Sequence, residues 1–224
     1  MSGPTVEIVE CSQGTSEWFN ARAGACTASM FSTVRDTLKS GPNKGGYKKA
    51  AEDYAFKLAI ERISGEALQG EQFETFSMRR GHELEPDARA LHSFKIGQDV
   101  QTAGIVRTTD GKFGASVDGL IGDDGISEYK CFVAPEKLRS ILIDGDIGDV
   151  TNQVQGGLWL TGRKWCDFAL YCPALACIDQ ELTVKRVYRD DDYIEAMERD
   201  LLAFDELVES YRARLLTAVQ EVAA

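Results

Sequence analysis

The residues best equipped for chemistry lie between Phe113 and Cys131, where Asp118 is followed ten positions on by Glu128-Tyr129-Lys130. Phe113 to Val117 alternates weakly, Gly122-Asp123-Asp124-Gly125 is a turn signal, and Ile126 to Phe132 resumes an extended pattern. The segment is therefore expected as two short strands joined by a tight turn. Residues two apart share a strand face, which sets Glu128 beside Lys130 and sends Tyr129 the other way. Folding back brings Asp118 to the end of the strand that carries Glu128. Two carboxylates, one ammonium and the Tyr129 backbone carbonyl then meet at one spot. Hard oxygen donors grouped in this way suit Mg²⁺ or Mn²⁺ better than zinc. A lysine beside such an ion can position water or stabilise charge developing on a phosphoryl group. On an exposed hairpin the same side chains would be a solvated ion pair contributing little, so the assignment depends on what the rest of the chain brings to them.

A long helix is predicted over Phe73 to Phe94, with Leu84, Ala88 and Leu91 as its inward stripe. Glu85 falls on that inward side, whereas Glu83 and Asp87 face out. A carboxylate aimed at a core is costly unless it pairs or holds a metal. Pro86 is expected to kink this helix or mark its restart, and Arg79-Arg80 just upstream are candidate contacts to a phosphate backbone. Nearer the N-terminus, a short helix capped by Thr15 or Ser16 ends at Gly24, and a second helix begins with Thr27 as its cap. Arg22 and Ser29 bracket that loop, where backbone N–H groups, a hydroxyl and a guanidinium would suit a phosphate. Lys39 to Gly46 is a glycine-rich loop without the Gly-Lys-Ser/Thr ending of a nucleotide-binding loop. Helices are expected from Tyr47 to Ile63, closed by Gly65, after Pro135, and from Asp149 with Val150, Val154 and Leu158 inward and Gln153, Gln155 and Gly156-Gly157 among them. Thr5 to Val9, Lys95 to Arg107, Trp165 to Cys172 and Glu181 to Tyr188 read as strands. Asp190-Asp191-Asp192 caps a closing helix striped by Leu201, Phe204, Val208, Tyr211 and Leu215. The order of pieces is α/β, one domain over residues 1–224, with a central mixed sheet flanked by helices.

Composition narrows the class. The chain has 224 residues, 25 Lys+Arg against 36 Asp+Glu, and a formal net charge of −11. That balance argues against a protein that coats nucleic acid, but not against an enzyme that confines its basic residues to one channel. No stretch is apolar enough to span a bilayer and no secretion signal is visible, so a cytoplasmic, membrane-free protein is expected. The six cysteines form no C-x-x-C pair, which reads as free thiols in a reducing compartment. Cys166, Cys172 and Cys177 are spaced too loosely for an iron–sulfur assignment. His82 and His92, the only histidines, cannot build a three-histidine zinc site and leave little for a Ser/His/Asp apparatus.

The acid-turn-Glu-x-Lys pattern is that of the PD-(D/E)xK nucleases, with Val117 where a proline is usual. Five segments occur in an order that resembles the viral-type alkaline exonucleases, the lambda exonuclease-like group: Trp18-x3-Arg22-x-Gly-x3-Ala-Ser29, Gly81-His-Glu-Leu-Glu85-Pro-Asp-Ala-Arg89, Ser116-Val-Asp118-Gly-Leu, Glu128-Tyr-Lys130-Cys131, and Gln153-Val-Gln155-x3-Trp159. The resemblance implies a restriction-endonuclease-like core. It implies Asp118, Glu128 and the Tyr129 carbonyl as ligands of two Mg²⁺ ions, with Mn²⁺ as a substitute and Glu85 as the helix carboxylate. It further implies Lys130 as the catalytic lysine and Gln155, or alternatively Gln153, as the supporting glutamine, with Arg22 and Ser29 holding a 5′ phosphate. The implied activity is processive removal of 5′-mononucleotides from one strand of duplex DNA, by a homotrimeric ring that works with a single-strand annealing protein. The competing expectations are a structure-specific or restriction-type endonuclease of the same fold, and a binding module that has lost the chemistry.

Overall fold

Short apolar runs bounded by glycine and aspartate alternate along this chain with longer amphipathic stretches, and the two patterns sort into sheets and helices. The computed structural model describes residues 3–68 and 75–222. In chain order the elements are β1 (Val6–Val9), α1 (Ser16–Arg22), β2 (Cys26–Thr27), a 3₁₀ turn (Ala28–Met30), α2 (Phe31–Arg35), α3 (Lys49–Ser64), α4 (Phe76–Ile96), β3 (Val100–Gln101), β4 (Ile105–Thr108), β5 (Phe113–Ser116), β6 (Gly119–Ile121), β7 (Gly125–Lys130), α5 (Pro135–Leu142), α6 (Gly148–Thr161), β8 (Trp165–Tyr171), a second 3₁₀ turn (Pro173–Ile178), β9 (Leu182–Tyr188) and α7 (Asp191–Val222). The class is mixed α/β, as expected, but the strands form two sheets where one was predicted. One has the order β1-β4-β5-β2 and the other β3-β6-β7-β8-β9. Each is antiparallel except for one parallel pair, β2 with β5 and β7 with β8.

Helix α6 packs against β4 and β5 of the first sheet and β7 and β8 of the second, while α4 lies against β3, β7, β8 and β9. The period-2 rule decides which strand residues meet which helix. Ile126 joins the core cluster containing Val154 and Leu158 of α6, and Tyr129 packs with Ala88 of α4. The stripe of α7 buries Leu201, Phe204 and Val208. Asp190 caps that helix by accepting from the Tyr193 N–H at 2.9 Å, and Gly65 closes α3 in the left-handed conformation. Among the described residues, no helix is long and apolar enough to cross a membrane.

Four local expectations change. The predicted first arm of the hairpin is two strands in different sheets, β5 and β6, and the chain passes between sheets at Val117-Asp118. Lys95 to Arg107 is not one strand: α4 runs to Ile96, and β3 and β4 that follow belong to different sheets. Thr27 does not cap a helix but ends β2, because its hydroxyl is taken by Arg22 Nη2 at 3.2 Å and Ser29 Oγ at 3.3 Å. Helix α4 runs through Pro86 with no restart. Pro86 sits on the exposed face, and packing against the sheet outweighs the hydrogen bond its missing N–H gives up. The predicted start of that helix at Phe73 lies outside the described residues.

Candidate active site

The sheet junction places Asp118. Its N–H donates to Ser127 O at 3.2 Å, and its Oδ2 accepts from the Tyr129 N–H at 2.7 Å. Pairing of β6 with β7 thus folds the acid back onto the strand carrying Glu128. On the same face of β7, Lys130 Nζ donates to Glu128 Oε1 at 2.8 Å, and Gln153 of α6 donates to the same oxygen. From α4, Glu85 approaches the group while paired with Arg89 one turn further on.

Electrostatics follow from that crowding. Glu128 is 5 % exposed; burial first, and then the Asp118 charge, push its carboxyl up to about 7. Burial and the neighbouring Glu85 likewise push Asp118 up to about 7. Burial also raises Glu85, with Arg89 opposing and Glu128 adding to the effect. Burial works against the Lys130 ammonium, but Glu128 and Asp118 outweigh it and hold its pKa above the ordinary value. Carboxylates pushed together out of water are relieved by a hard cation, and the oxygen donors present (Asp118, Glu128, Glu85 and the Tyr129 carbonyl) fit one. Among the described residues, no three His, Cys, Asp or Glu side chains form a ready-made metal cage.

The two glutamines of α6 separate. Gln153 reaches Glu128. Gln155, the residue expected at the site, is buried on the opposite side, where its Nε2 donates to Tyr188 O at 2.9 Å and its Oε1 accepts from Asp190 N–H at 3.0 Å. Residues two positions apart on a helix lie about 200° apart around its axis, so Gln153 and Gln155 cannot serve one site. The glycine pair behind them lets α6 come close: a Cβ at Gly156 would lie 2.6 Å from the Phe31 ring, and one at Gly157 3.0 Å from Ile126.

Arg22 ends α1, whose N-cap Thr15 accepts from Trp18 N–H at 3.3 Å. The guanidinium stacks on Trp18, 4.1 Å from the ring centroid, and donates to Ser116 Oγ at 3.5 Å and Thr27 Oγ1 at 3.2 Å. Burial lowers its pKa, without threatening its charge. A cavity of about 740 Å³ is lined by Arg22 and Ser29 together with Glu85, Asp118, Glu128 and Lys130. Tyr129, Gln153 and Arg80 also line it, while Gln155 and the exposed Arg79 do not. No role for Ser116, Trp18 or Lys137, all on its wall, was legible in the sequence; the i, i+4 spacing of Trp18 and Arg22 is the one signal that could have pointed to a pair. All six cysteines are free thiols.

The YqaJ-like viral recombinase domain matches residues 17–164. Among solved structures, the alkaline exonuclease LHK-Exo from Laribacter hongkongensis is 32% identical with a TM-score of 0.78, over 93% of this chain and 100% of that one. The same enzyme in complex with dAMP gives a TM-score of 0.77 at 32% identity, over 93% of this chain and 100% of that one. A phage-related exonuclease from Haemophilus somnus shares the fold, with 19% identity and a TM-score of 0.59, over 87% of this chain and 96% of that one. No curated protein sequence matches significantly.

Proposed function

Because the chain belongs to the YqaJ-like viral recombinase family and is a DNA exonuclease, a phosphodiester hydrolase, we propose that it digests one strand of duplex DNA from the 5′ end. In this reading it works processively, releases 5′-mononucleotides, and leaves 3′ overhangs for a single-strand annealing protein to use in recombination. The observation that carries the reading is that Arg22 and Ser29 share one cavity with Asp118, Glu128 and Lys130. A group that grips a terminal phosphate next to a group that hydrolyses a phosphodiester favours cutting at an end. The dAMP bound by the Laribacter enzyme supports a mononucleotide product.

Asp118, Glu128, the Tyr129 carbonyl and Glu85 would hold two Mg²⁺ ions, or Mn²⁺ in their place; bound there, the metal supplies a more acidic water and charge neutralisation for the phosphate. Lys130, kept protonated by Glu128 and Asp118, orients the nucleophilic water or shields charge on the non-bridging oxygens. Glu128 is oriented for this by two donors, Lys130 and Gln153. Arg22 and Ser29 hold the 5′ phosphate and so register the next linkage against Asp118. Arg80, on the cavity wall, and Arg79 beside it on α4 are assigned to the DNA backbone.

A net charge of −11 repels DNA at long range, and a homotrimeric ring resolves this by enclosing the duplex while keeping the outer face acidic. Lys48 and Lys49 at the start of α3 are paired with Asp36 and Asp53 at 2.6 and 2.7 Å. Arg80, which lines the cavity, is the better candidate for the ring's channel. The enzyme is assigned to the cytoplasm. The test is digestion of linear duplex labelled at either end, with Mg²⁺ present or chelated and a covalently closed circle alongside. Loss of the 5′ label as mononucleotide, only with metal, is expected. Cutting of the circle would make it an endonuclease instead. Light scattering at micromolar protein tests the ring, which a mass near 24.6 kDa under processive conditions would exclude.

A further inference from the structure

The turn from Arg22 to Ser29, which carries both arms of the proposed phosphate pocket, is held by its backbone from behind. Tyr54, Glu61 and Arg62 lie on one side of α3 at i, i+7 and i+8. Glu61 Oε2 accepts from Gly24 N–H at 3.0 Å, and Arg62 Nε donates to Gly24 O at 2.9 Å. Tyr54 Oη donates to Ala25 O at 3.3 Å and accepts from Thr27 N–H at 3.2 Å. Gly24 has φ +73°, and a Cβ there would meet Arg62 Cγ at 2.8 Å, so the corner accepts no other residue without strain. The helix side chains are themselves fixed. Arg62 Nη1 donates to Asp205 at 2.6 Å, and Lys112 pairs with Asp205 at 2.6 Å while its carbonyl accepts from Cys26 N–H at 2.8 Å. Glu61 is 4 % exposed and Asp205 also 4 %, and the Tyr54 ring stacks on Phe204 at 6.0 Å between centroids.

We propose that this face of α3 is the frame that sets 5′-end selectivity, with Tyr54, Glu61 and Arg62 as positioning residues that fix Arg22 relative to Thr27 and Ser29. The inference rests on the phosphate-pocket reading above. A guanidinium and two hydroxyls grip a phosphate tightly only when their spacing is held to a fraction of an ångström. Here that spacing is set by a turn whose N–H and C=O groups bond to the helix. Glu61 also lies close enough to Arg22 to stabilise its charge, which a purely apolar support would not do.

The test uses full-length Tyr54→Phe, which keeps the stacked ring and removes only the hydroxyl, beside Arg22→Ala. Initial rates are measured with Mg²⁺ on duplexes with a 5′-phosphate and with a 5′-hydroxyl, after thermal melting has set the folded fraction. Tyr54→Phe is expected to lower the phosphate-to-hydroxyl ratio of kcat/KM about fivefold, through KM on phosphorylated ends, with the hydroxyl-end rate unchanged; a backbone hydrogen bond of ordinary strength yields a factor of that order. Glu61→Gln is expected to move the ratio in the same direction. If Arg22→Ala collapses the ratio while Tyr54→Phe and Glu61→Gln leave it intact, the frame is wrong and the pocket stands. A Tyr54→Phe that slows both substrates equally makes Tyr54 a fold support only and overturns the proposal as well. An unchanged ratio in Arg22→Ala removes the pocket, and the frame with it.

Discussion

Asp118→Asn should make the metal-free protein more stable at pH 8 and much less able to use metal. Asp118 is pushed from 3.8 up to about 7 by burial and by Glu85. The gap between those values corresponds to at most ~4 kcal/mol of unfavourable folding energy when the group is ionised. Glu85 and Glu128 share that energy, and Asp118 is only part-buried, so ~1–2 kcal/mol is the realistic gain from neutralising it. The amide keeps an oxygen for the Tyr129 N–H now bound at 2.7 Å, and its new N–H₂ faces carboxylates. In the unfolded chain the carboxyl ionises near 4, in the folded protein near 7. Below about pH 4 both states are protonated and the substitution gains nothing. From about pH 4 to 7 the unfolded chain gives up its proton first, so wild-type stability falls as pH rises and the advantage of Asp118→Asn grows. Above about 7 the advantage is complete and flat. Denaturant unfolding in EDTA at pH 5 and pH 8 measures this, with ~2–8 °C in Tm as the corresponding thermal shift. Adding Mg²⁺ at ~100 times its Kd should stabilise the wild type by ~2.7 kcal/mol and the variant far less, reversing their order. A variant less stable than wild type at pH 8 in EDTA, or an advantage of equal size at pH 5, would refute the electrostatic account of the site.

Lys130→Ala should lower single-turnover hydrolysis by ~10²–10⁴-fold in a protein that still melts cooperatively; retention of more than a tenth of the rate would take Lys130 out of the mechanism. Gln153→Ala should slow turnover ~10-fold with stability within ~1 kcal/mol, whereas Gln155→Ala strands the Tyr188 carbonyl and Asp190 N–H and should cost ~2–3 kcal/mol with kcat nearly unchanged. Chevron unfolding beside turnover separates the two, and the opposite pattern would restore Gln155 to the site. Arg22→Ala should cut the preference for 5′-phosphorylated ends by ~10- to 100-fold, since a charge-assisted phosphate contact contributes ~1.5–3 kcal/mol. Equal preference in wild type and variant would rule the contact out.

Asp118, Glu128 and Lys130 were legible because strand period and a tight turn fix their geometry over a dozen residues, without help from distant parts of the chain. Glu85 was legible for a related reason: a carboxylate on the inward face of a helix has to meet something. Gln153 and Gln155 were not separable, since α6 is buried from Val154 through Leu160 and so its apolar pattern does not mark which side faces the cavity. Thr27 misled because a hydroxyl before a helix has the same local signature whether it caps the helix or turns to an arginine. The division into two sheets, and the α3 grip on Gly24, depend on residues 30 or more positions apart in pairs such as Gly24 and Glu61, which no local pattern encodes. The Val117 that stands in place of a proline is buried at 4 % exposure against the place where Gly157 lets α6 approach, an apolar fit that either residue type can supply.

The passage of the chain between sheets at Val117-Asp118 has a mechanical consequence. Thr27 and Ser116 belong to the first sheet and Arg22 to the end of α1, Glu128 and Lys130 belong to the second sheet, and the covalent link between the two sheets at this point is a pair of residues. Under the proposed function such a link acts as a ruler, its length setting how far a captured terminus lies from the bond to be broken. In the proposed reaction that span is one nucleotide. Because Asp118 is itself half of the link, a residue inserted before it would pull the acid away from the Tyr129 N–H as well as lengthen the span, so the expected sign of a lengthened link is loss of turnover.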